Sequence, residues 1–321
     1  MLLKQKLNIW IEEYLFFPTP FQKFISFLFI PFTLIYMIII SFKRISSKKQ
    51  DFGIPIISVG NLIVGGSGKT PITIALAKDK KDVAVILRGY GRESEGLYVI
   101  SQNGKILEDI QTSGDEAMLL SKSLPKATVI VSEDRVKAII KAKELGCKLV
   151  FLDDGFSKYQ INKFDILLRP KKEPDNIFCL PSGGYREPKM MYATANMVLK
   201  EGVDFNRVVK FKKDGKVIEE LPSNIVILTA ISKAKRLLDF VPKPCELISF
   251  PDHYSFTKLD IEVVEKSYKG FTILTTSKDF VKLEKFNIKN LVLMDLDIEL
   301  NKDVDFSNLE KHIKMYDITH D

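Results

Sequence analysis

Ile56-Ile57-Ser58-Val59-Gly60-Asn61-Leu62-Ile63-Val64-Gly65-Gly66-Ser67-Gly68-Lys69-Thr70-Pro71-Ile72-Thr73-Ile74-Ala75-Leu76-Ala77 is the stretch that decides the fold. Ile56 to Val59 reads as a buried strand, and Ile72 to Ala77 can open a helix. Strand, glycine-rich loop and helix are the setting a phosphate-binding loop requires. The glycines let backbone N–H groups curl around an anion, and the helix N-terminus adds partial positive charge. In this reading Ile63, Val64, Gly65, Gly66, Ser67, Gly68, Lys69 and Thr70 line the phosphates. Lys69 reaches the β- and γ-phosphates of a nucleoside triphosphate, and the Thr70 hydroxyl ligates Mg²⁺. Ile63 stands where the pattern usually opens with glycine. A glycine-rich turn without a ligand is the plain alternative, but Gly-Lys-Thr after an apolar strand is rarely that.

The chain of 321 residues holds one large domain or two of ordinary size. Its charged fraction of 28% argues against long disorder. The net charge of +7 suits nucleic acid, anionic lipid or a phosphorylated substrate, and alone does not choose among them. Cys147, Cys179 and Cys245 form no metal-type pair and fit reduced cytosolic thiols. The histidines at 253, 312 and 320 are too scattered for a zinc site.

Phe24 to Phe42 is nineteen residues without a charge. As one helix it would reach roughly 28 Å, close to the hydrocarbon thickness of a bilayer, with a kink at Pro31. Lys43, Arg44, Lys48 and Lys49 follow and suit the cytoplasmic headgroup side. Spanning the membrane, lying in its interface and packing as a core helix all remain open. The run starts too late for a signal peptide and lacks a cleavage site.

From residue 54 onward, strand-like runs alternate with helix-like stretches. Strands are expected at 83–87, 128–131, 149–152 and 165–168, and helices at 115–123 and 134–145. Apolar runs with little alternation, separated by helices, indicate a mostly parallel sheet covered on both faces. Residues 196–200 and 207–213 look like ribbon strands, and Asp214-Gly215 is a hairpin turn. Alternation then resumes, with strands at 225–229, 246–250, 271–275 and 290–294 and helices at 233–240 and 260–268. The expected fold is therefore α/β: a P-loop NTPase-like sheet with helices on both faces, a smaller C-terminal α/β domain joined by a β-ribbon, and an N-terminal apolar helix. The expected division is 1–50 for the membrane-associating segment, 51–195 for the nucleotide-binding domain, 196–222 for the ribbon and 223–321 for the smaller domain.

Asp153-Asp154-Gly155 closes the apolar run Leu149-Val150-Phe151-Leu152. An acid at such a strand end holds Mg²⁺ in phosphate-loop proteins, so Asp153 and Asp154 join Thr70 as metal candidates. A strand-exit turn is the bland alternative. Asp115 and Glu116 taken alone are helix-start acids favoured by the dipole, and His253 is a loop histidine. Arg186-Glu187-Pro188 offers one cation and one acid on a loop, and Arg88 and Arg92 follow a strand.

Read together, these segments resemble the tetraacyldisaccharide 4′-kinase family. The matching runs are Val59-Gly60-Asn61 with the loop to Thr70-Pro71, Arg88-Gly89-Tyr90-Gly91-Arg92, Gly114-Asp115-Glu116 and Asp153-Asp154-Gly155-Phe156. Leu180-Pro181-Ser182-Gly183 with Arg186-Glu187-Pro188, Phe250-Pro251-Asp252-His253 and Thr276-Ser277-Lys278-Asp279 follow in the family's order. The resemblance implies transfer of the γ-phosphate of ATP, with Mg²⁺, to the 4′-hydroxyl of a tetraacylated glucosamine disaccharide 1-phosphate. It places the protein at the cytoplasmic face of the inner membrane, with that lipid as partner, no nucleic acid and no obligate protein partner. It further implies that Asp115 accepts the hydroxyl proton with His253 as its dyad partner, and that Arg186 and Glu187 serve the nucleotide or substrate end. Ser157 and Lys158 depart from the family's usual Gln and His, Ala117 from its proline, and Gly184-Tyr185 from its Pro-Leu. The alternative function is a membrane-tethered P-loop NTPase switch or assembly factor. A soluble nucleotide kinase whose first fifty residues are core is a further rival.

Overall fold

Three helices come first in the computed structural model, which describes residues 2–65, 68–231, 234–251 and 254–317. They are α1 (Leu2–Phe16), α2 (Pro20–Leu28) and α3 (Ile30–Ser46). Next come β1 (Ile56–Asn61), α4 (Lys69–Ala77), β2 (Val83–Leu87), β3 (Tyr98–Gln102), β4 (Lys105–Ile106), α5 (Ile110–Ser113) and α6 (Asp115–Ser123). Then follow β5 (Thr128–Val131), α7 (Arg135–Glu144), β6 (Leu149–Asp153), β7 (Phe164–Arg169), β8 (Met197–Lys200), β9 (Phe205–Lys213) and β10 (Lys216–Ile218). The chain ends with β11 (Ile225–Thr229), β12 (Glu246–Ser249), α8 (Lys258–Ser267), β13 (Thr272–Thr276), α9 (Ser277–Leu283), β14 (Leu291–Leu300) and α10 (Ser307–Asp317). Two compact units divide it: Met1–Thr73 with Lys143–Asn206 and Leu300–Asp321, and Ile74–Ala142 with Arg207–Glu299.

In the first unit, β6, β1, β7 and β8 pair in that order, all parallel. Every residue of β1 and β6 is buried, which explains their unbroken apolar character. The register sets Val59 opposite Asp153, so β6 delivers its acids where β1 runs into the glycine-rich loop. The strand expected to open the ribbon, at 196–200, instead pairs with β7 through Leu167 and Val198. Its buried Leu199 explains this, since an isolated ribbon could not cover that side chain.

The apolar segment is two helices rather than one. α2 and α3 meet at a bend of 57°, and no single helix among the described residues is long and apolar enough to cross a membrane. Pro31 sits in the first turn of α3, where its missing N–H costs nothing, whereas inside a longer helix it would clash with the preceding turn. The polarity of these helices is inverted. Gln22, Ser26 and Thr33 are buried, while Phe24, Phe32, Ile38 and Phe42 are exposed by 59 to 73%. Gln22 bonds to Trp10 O and Thr19 N, while Ser26 and Thr33 are satisfied by the loop at 176–182. The Asn176 amide donates to Ser26 Oγ (3.2 Å), Tyr14 O (3.2 Å) and Ser182 O (2.8 Å). The Thr33 hydroxyl donates to Ser182 Oγ at 2.7 Å.

In the second unit, β2 and β5 are parallel, β3 runs antiparallel to β5, and β4 closes a hairpin on β3. That hairpin turns through Asn103 and Gly104, both at positive φ, a signal present in the sequence and not read from it. A second sheet has the order β10-β9-β14-β13-β11-β12. Its β14, β13, β11 and β12 are parallel, and the expected Asp214-Gly215 turn joins β9 to β10. β11 buries Val226 and Leu228 with Phe256, Ile261 and Leu283, and Ile225 and Ile227 with Leu274 and Val292, so both of its faces are covered. The helix expected at 233–240 is a 3-10 helix at Ala234–Phe240.

α10 docks in the first unit through His312, whose ring lies 5.4 Å from Phe164 and 5.5 Å from Tyr316, centre to centre. Burial lowers the imidazole's pKa below its ordinary value, although a bond to the Ile56 backbone and the nearby Asp51 act the other way. Nε2 is buried without a hydrogen-bond partner, so protonation would strand a charge there. Because the folded value is the lower one, this contribution is present above about pH 6.5 and is lost as pH falls through the folded value. Thermal stability should therefore fall more steeply between about pH 7 and 5 in the wild type than in His312→Phe. Parallel pH profiles of Tm would remove His312 from that account.

Candidate active site

At the carboxyl end of β1, Asn61 turns its amide back to Ile63 O at 2.8 Å. Ile63 forms a bridge to Tyr185 and its side chain packs with Phe16, Leu62, Phe156, Leu167 and Tyr185. The departure from glycine there thus fills core. Val64 N donates to Gly184 O at 2.9 Å, and Arg186 N to Leu62 O at 2.7 Å, so the 184–186 segment pairs with the entry to the loop. Gly65 and Gly68 have positive φ, as a curled phosphate loop requires. Gly66 and Ser67 lie outside the described residues.

Lys69 and Thr70 occupy the first turn of α4, where the helix dipole and unbonded N–H groups favour an anion. The Lys69 ammonium donates to Asn61 Oδ1 at 3.3 Å and lies 3.9 Å from Asp154 Oδ1. The Thr70 hydroxyl donates to Asp153 Oδ2 at 2.7 Å. A hydroxyl and a buried carboxylate at this separation are a hard-oxygen pair suited to Mg²⁺, which takes one or two protein oxygens and completes its shell with phosphate and water. Among the described residues no cluster of three His, Cys, Asp or Glu could hold a metal ion.

The two acids of β6 go different ways. Asp154, at φ 55°, takes the left-handed conformation that asparagine and aspartate tolerate best. This turns its carboxylate to Arg186, whose Nη1 and Nη2 each donate at 3.0 Å. A paired fork of this kind outweighs the single contact to Lys69 at 3.9 Å. The same guanidinium also reaches Asn61 O and Oδ1. Gly155 follows because nothing larger fits, since a Cβ there would lie 2.5 Å from Leu152 Cβ and 2.9 Å from Ser58 Cβ.

Glu187 is buried and accepts the Tyr159 hydroxyl at 2.6 Å, with Arg44 of α3 at 3.6 Å. Burial raises the Glu187 pKa against the opposing pull of Tyr159 and Arg44. Arg44 also lies over the Phe156 and Tyr159 rings, at 5.0 and 4.8 Å. Of the basic run assigned to headgroups, Arg44 is thus committed inward, because a buried glutamate needs a cation more than a solvated phosphate does. Tyr36 of α3 donates to Arg186 O at 3.0 Å. Tyr36, Ile40 and Lys43 share with Asn61, Asp154, Arg186 and Glu187 the lining of a cavity of about 210 Å³.

In the second unit, Asp115 opens α6 behind Gly114, whose positive φ and 2.9 Å approach to Tyr90 O exclude a side chain. Asp115 is buried, its Oδ1 accepts Glu116 N at 3.0 Å, and Lys278 and Lys282 of α9 both lie 3.8 Å from its Oδ2. His253 lies outside the described residues. Of the arginine pair, Arg92 is bound to Glu133 and to Gly96 O, while Arg88 stays exposed at the end of β2. Sequence reading passed over Asn61, Lys282 and the inward role of Arg44. Asn61 carried a signal as the end of the run Val59-Gly60-Asn61, whereas Lys282 lies just past Thr276-Ser277-Lys278-Asp279.

A parallel sheet whose first strand feeds a Gly-Lys-Thr helix, with an acid of the neighbouring strand on the threonine, defines a P-loop-type phosphate-binding α/β protein. The sequence matches the tetraacyldisaccharide-1-P 4′-kinase family, LpxK, over residues 25–314, and the chain belongs to that family. It is 63% identical over 314 residues to the tetraacyldisaccharide 4′-kinase of Aliarcobacter butzleri (strain RM4018), covering 98% of this chain and 100% of that one. The Helicobacter acinonychis (strain Sheeba) protein of the same name is 44% identical over 311 residues, 96% of each chain. A crystal structure of apo-form LpxK from Aquifex aeolicus in complex with ATP superposes with a TM-score of 0.72 at 28% identity, covering 91% of this chain and 99% of that one.

Arg44→Leu should cost about 1–3 kcal/mol in urea denaturation, because it removes the nearest cation from the buried Glu187, while Tyr159, Arg186 and Lys163 remain and the arginine itself is partly exposed. Adding Glu187→Gln should restore most of that loss. A double variant no more stable than Arg44→Leu would mean that stacking on Phe156 and Tyr159, rather than the ion pair, holds α3.

Proposed function

We propose that this chain is an ATP-dependent kinase that phosphorylates the 4′-hydroxyl of a tetraacylated glucosamine disaccharide 1-phosphate, giving lipid IVA in lipid A biosynthesis. Family membership together with the Lys69, Thr70 and Asp153 geometry carries this reading. The tethered-switch alternative finds no support in relatives that bear the kinase name.

The residues divide the work as follows. Residues 63–70 hold the triphosphate, with Lys69 as the cation on its β and γ groups and catalytic for that reason. Thr70 and Asp153 hold Mg²⁺, which when bound neutralises phosphate charge. Asp153 is the metal-side acid because it meets Thr70, whereas Asp154 is engaged by Arg186. Arg186 and Glu187 shape the entry to the loop and serve the nucleotide or substrate end. Asp115, oriented with His253, takes the proton of the sugar hydroxyl as its oxygen bonds to the γ-phosphorus, the bond to the β–γ bridging oxygen breaks, and ADP leaves. In this reading 51–195 carries the nucleotide and the base, 196–222 is the connection and 223–321 supplies His253.

The inverted polarity of α2 and α3 supports a lipid partner. A face carrying Phe24, Phe32, Ile38 and Phe42 toward the outside, with glutamine and serine inward, is unfavourable in water and favourable against acyl chains. The bend and the polar ties to residues 176–182 favour a helix pair lying in the interface at the cytoplasmic face of the inner membrane, where ATP is available. The lipid disaccharide is then met at its own surface.

With the disaccharide, Mg²⁺ and radiolabelled ATP, the purified protein should place label on the 4′-oxygen, and Lys69→Ala should abolish it. Asp115→Ala should lower kcat roughly 10²- to 10⁴-fold. Label on another position, or transfer by Lys69→Ala at the wild-type rate, would sink the assignment. For the membrane, Phe24→Ser/Ile38→Ser/Phe42→Ser should lose sedimentation with anionic vesicles while keeping ATP affinity. Unchanged sedimentation would exclude this face as the contact.

A further inference from the structure

Lys282 lies at the middle of a buried polar cluster in the second unit that the proposed reaction does not yet use. Its side chain is 8% exposed, and burying an ammonium is unfavourable unless its donors find partners. It finds three. Asp279 Oδ1 lies at 2.8 Å, the Tyr254 carbonyl at 3.3 Å and Asp115 Oδ2 at 3.8 Å, and the Phe256 ring lies 5.5 Å away.

Asp279 is a fixed point. It is fully buried, and its Oδ2 accepts the Thr229 hydroxyl at 2.6 Å, the Ala230 amide at 2.9 Å and the Thr276 hydroxyl at 2.9 Å. These bonds tie the carboxylate to β11 and to the start of α9, so Lys282 is held from a rigid base. An ion pair serving only to close the first turns of α9 would need Asp279 alone. The remaining contacts point to α6, through Asp115, and to Tyr254, which follows His253 in the sequence.

We propose that Lys282 is a positioning residue for phosphoryl transfer, holding the Asp115 carboxylate and the Tyr254 backbone in one frame anchored on Asp279. This rests on Asp115 being the base. A base must present one oxygen to the substrate in a fixed direction, and a side chain free to rotate loses most of that benefit. Lys282 sets the rotation of the carboxylate through Oδ2, as the Glu116 amide does through Oδ1.

Among the described residues, the other ionisable groups around Asp115 are these. Lys278 lies 3.8 Å from the same oxygen and 3.5 Å from Glu116, but it is the more exposed of the two lysines. α5 and β5, which also pack on α6, carry no ionisable side chain, and β3 carries only Tyr98. The Arg92 backbone lies against Gly114, and its guanidinium is bound to Glu133. Removing Lys282 therefore takes from Asp115 one of the two lysines of α9 that face its Oδ2.

The test is the pH dependence of kcat in the full-length protein, with ATP, Mg²⁺ and the tetraacyldisaccharide 1-phosphate. Lys282→Met should lower kcat at least tenfold and leave the KM for ATP within about twofold. Because that change also orphans Asp279, the double variant Lys282→Met/Asp279→Asn serves as the folded comparison. Its acid limb should move upward by about one pH unit, the direction expected when a carboxylate loses a neighbouring cation. Lys282→Arg should restore much of kcat and return the limb.

A merely structural lysine would lower kcat equally at every pH, and an unmoved limb in the folded double variant overturns the proposal. Asp115→Asn separates the two levels. If it loses turnover while the double variant keeps the wild-type profile, only the role of Lys282 fails. If Asp115→Asn keeps both turnover and limb, the base assignment fails and the role of Lys282 with it.

Discussion

The in-register parallel pairing of β1 with β6 is the constraint on which the site depends. It sets Val59 opposite Asp153, so the strand that enters the glycine-rich loop and the strand that ends in two acids finish side by side. From that register follows the 2.7 Å contact between Thr70 and Asp153. A slip of one residue would turn the carboxylate to the other face of the sheet. Complete burial of both strands specifies the register, because a slipped pair would leave their apolar side chains without matching cavities.

The turn after β6 uses three neighbouring residues in three physical roles. Asp153 ends the ladder and meets the helix. Asp154 accepts a left-handed backbone and faces the guanidinium fork of Arg186. Gly155 allows the chain to pass against Leu152 and Ser58. Arg186 in turn is fixed from both sides, by Asn61 beneath the loop and by the Tyr36 hydroxyl on its own carbonyl. The apolar N-terminal helices are thus joined to the phosphate-loop region by hydrogen bonds and a half-buried ion pair.

That attachment explains an arrangement that would be wrong for a protein surrounded by water on all sides. Ser26 and Thr33 face inward because Asn176 and Ser182 satisfy them, and Gln22 because its amide bonds to Trp10 O and Thr19 N. The phenylalanines and isoleucines face outward, where burial in the protein would have been worth roughly 1.5–3 kcal/mol for each side chain. A surface that leaves this much apolar area uncovered supports the proposed lipid partner. The two units therefore solve different problems, the first carrying phosphate chemistry beside an apolar face and the second burying a charged cluster around Asp115.

The sequence by itself determined the P-loop α/β class, most of the strand succession apart from the β3–β4 hairpin, the Gly-Lys-Thr motif and the family. These depend on local patterns: apolar runs, turn residues and the spacing of Lys69 and Thr70 from a strand. It did not show that Met197–Lys200 joins the sheet through β7, nor that the apolar run breaks at Phe29. Only the tertiary structure separated Asp153 from Asp154, gave Asn61 its place under Lys69, and drew Arg44 and Lys282 inward. The physical reason is range. Strand and loop propensities act between near neighbours, whereas the partner of a buried charge is fixed by packing between segments that can lie more than a hundred residues apart, as for Arg44 with Glu187 and Lys282 with Asp115, and no spacing rule encodes it.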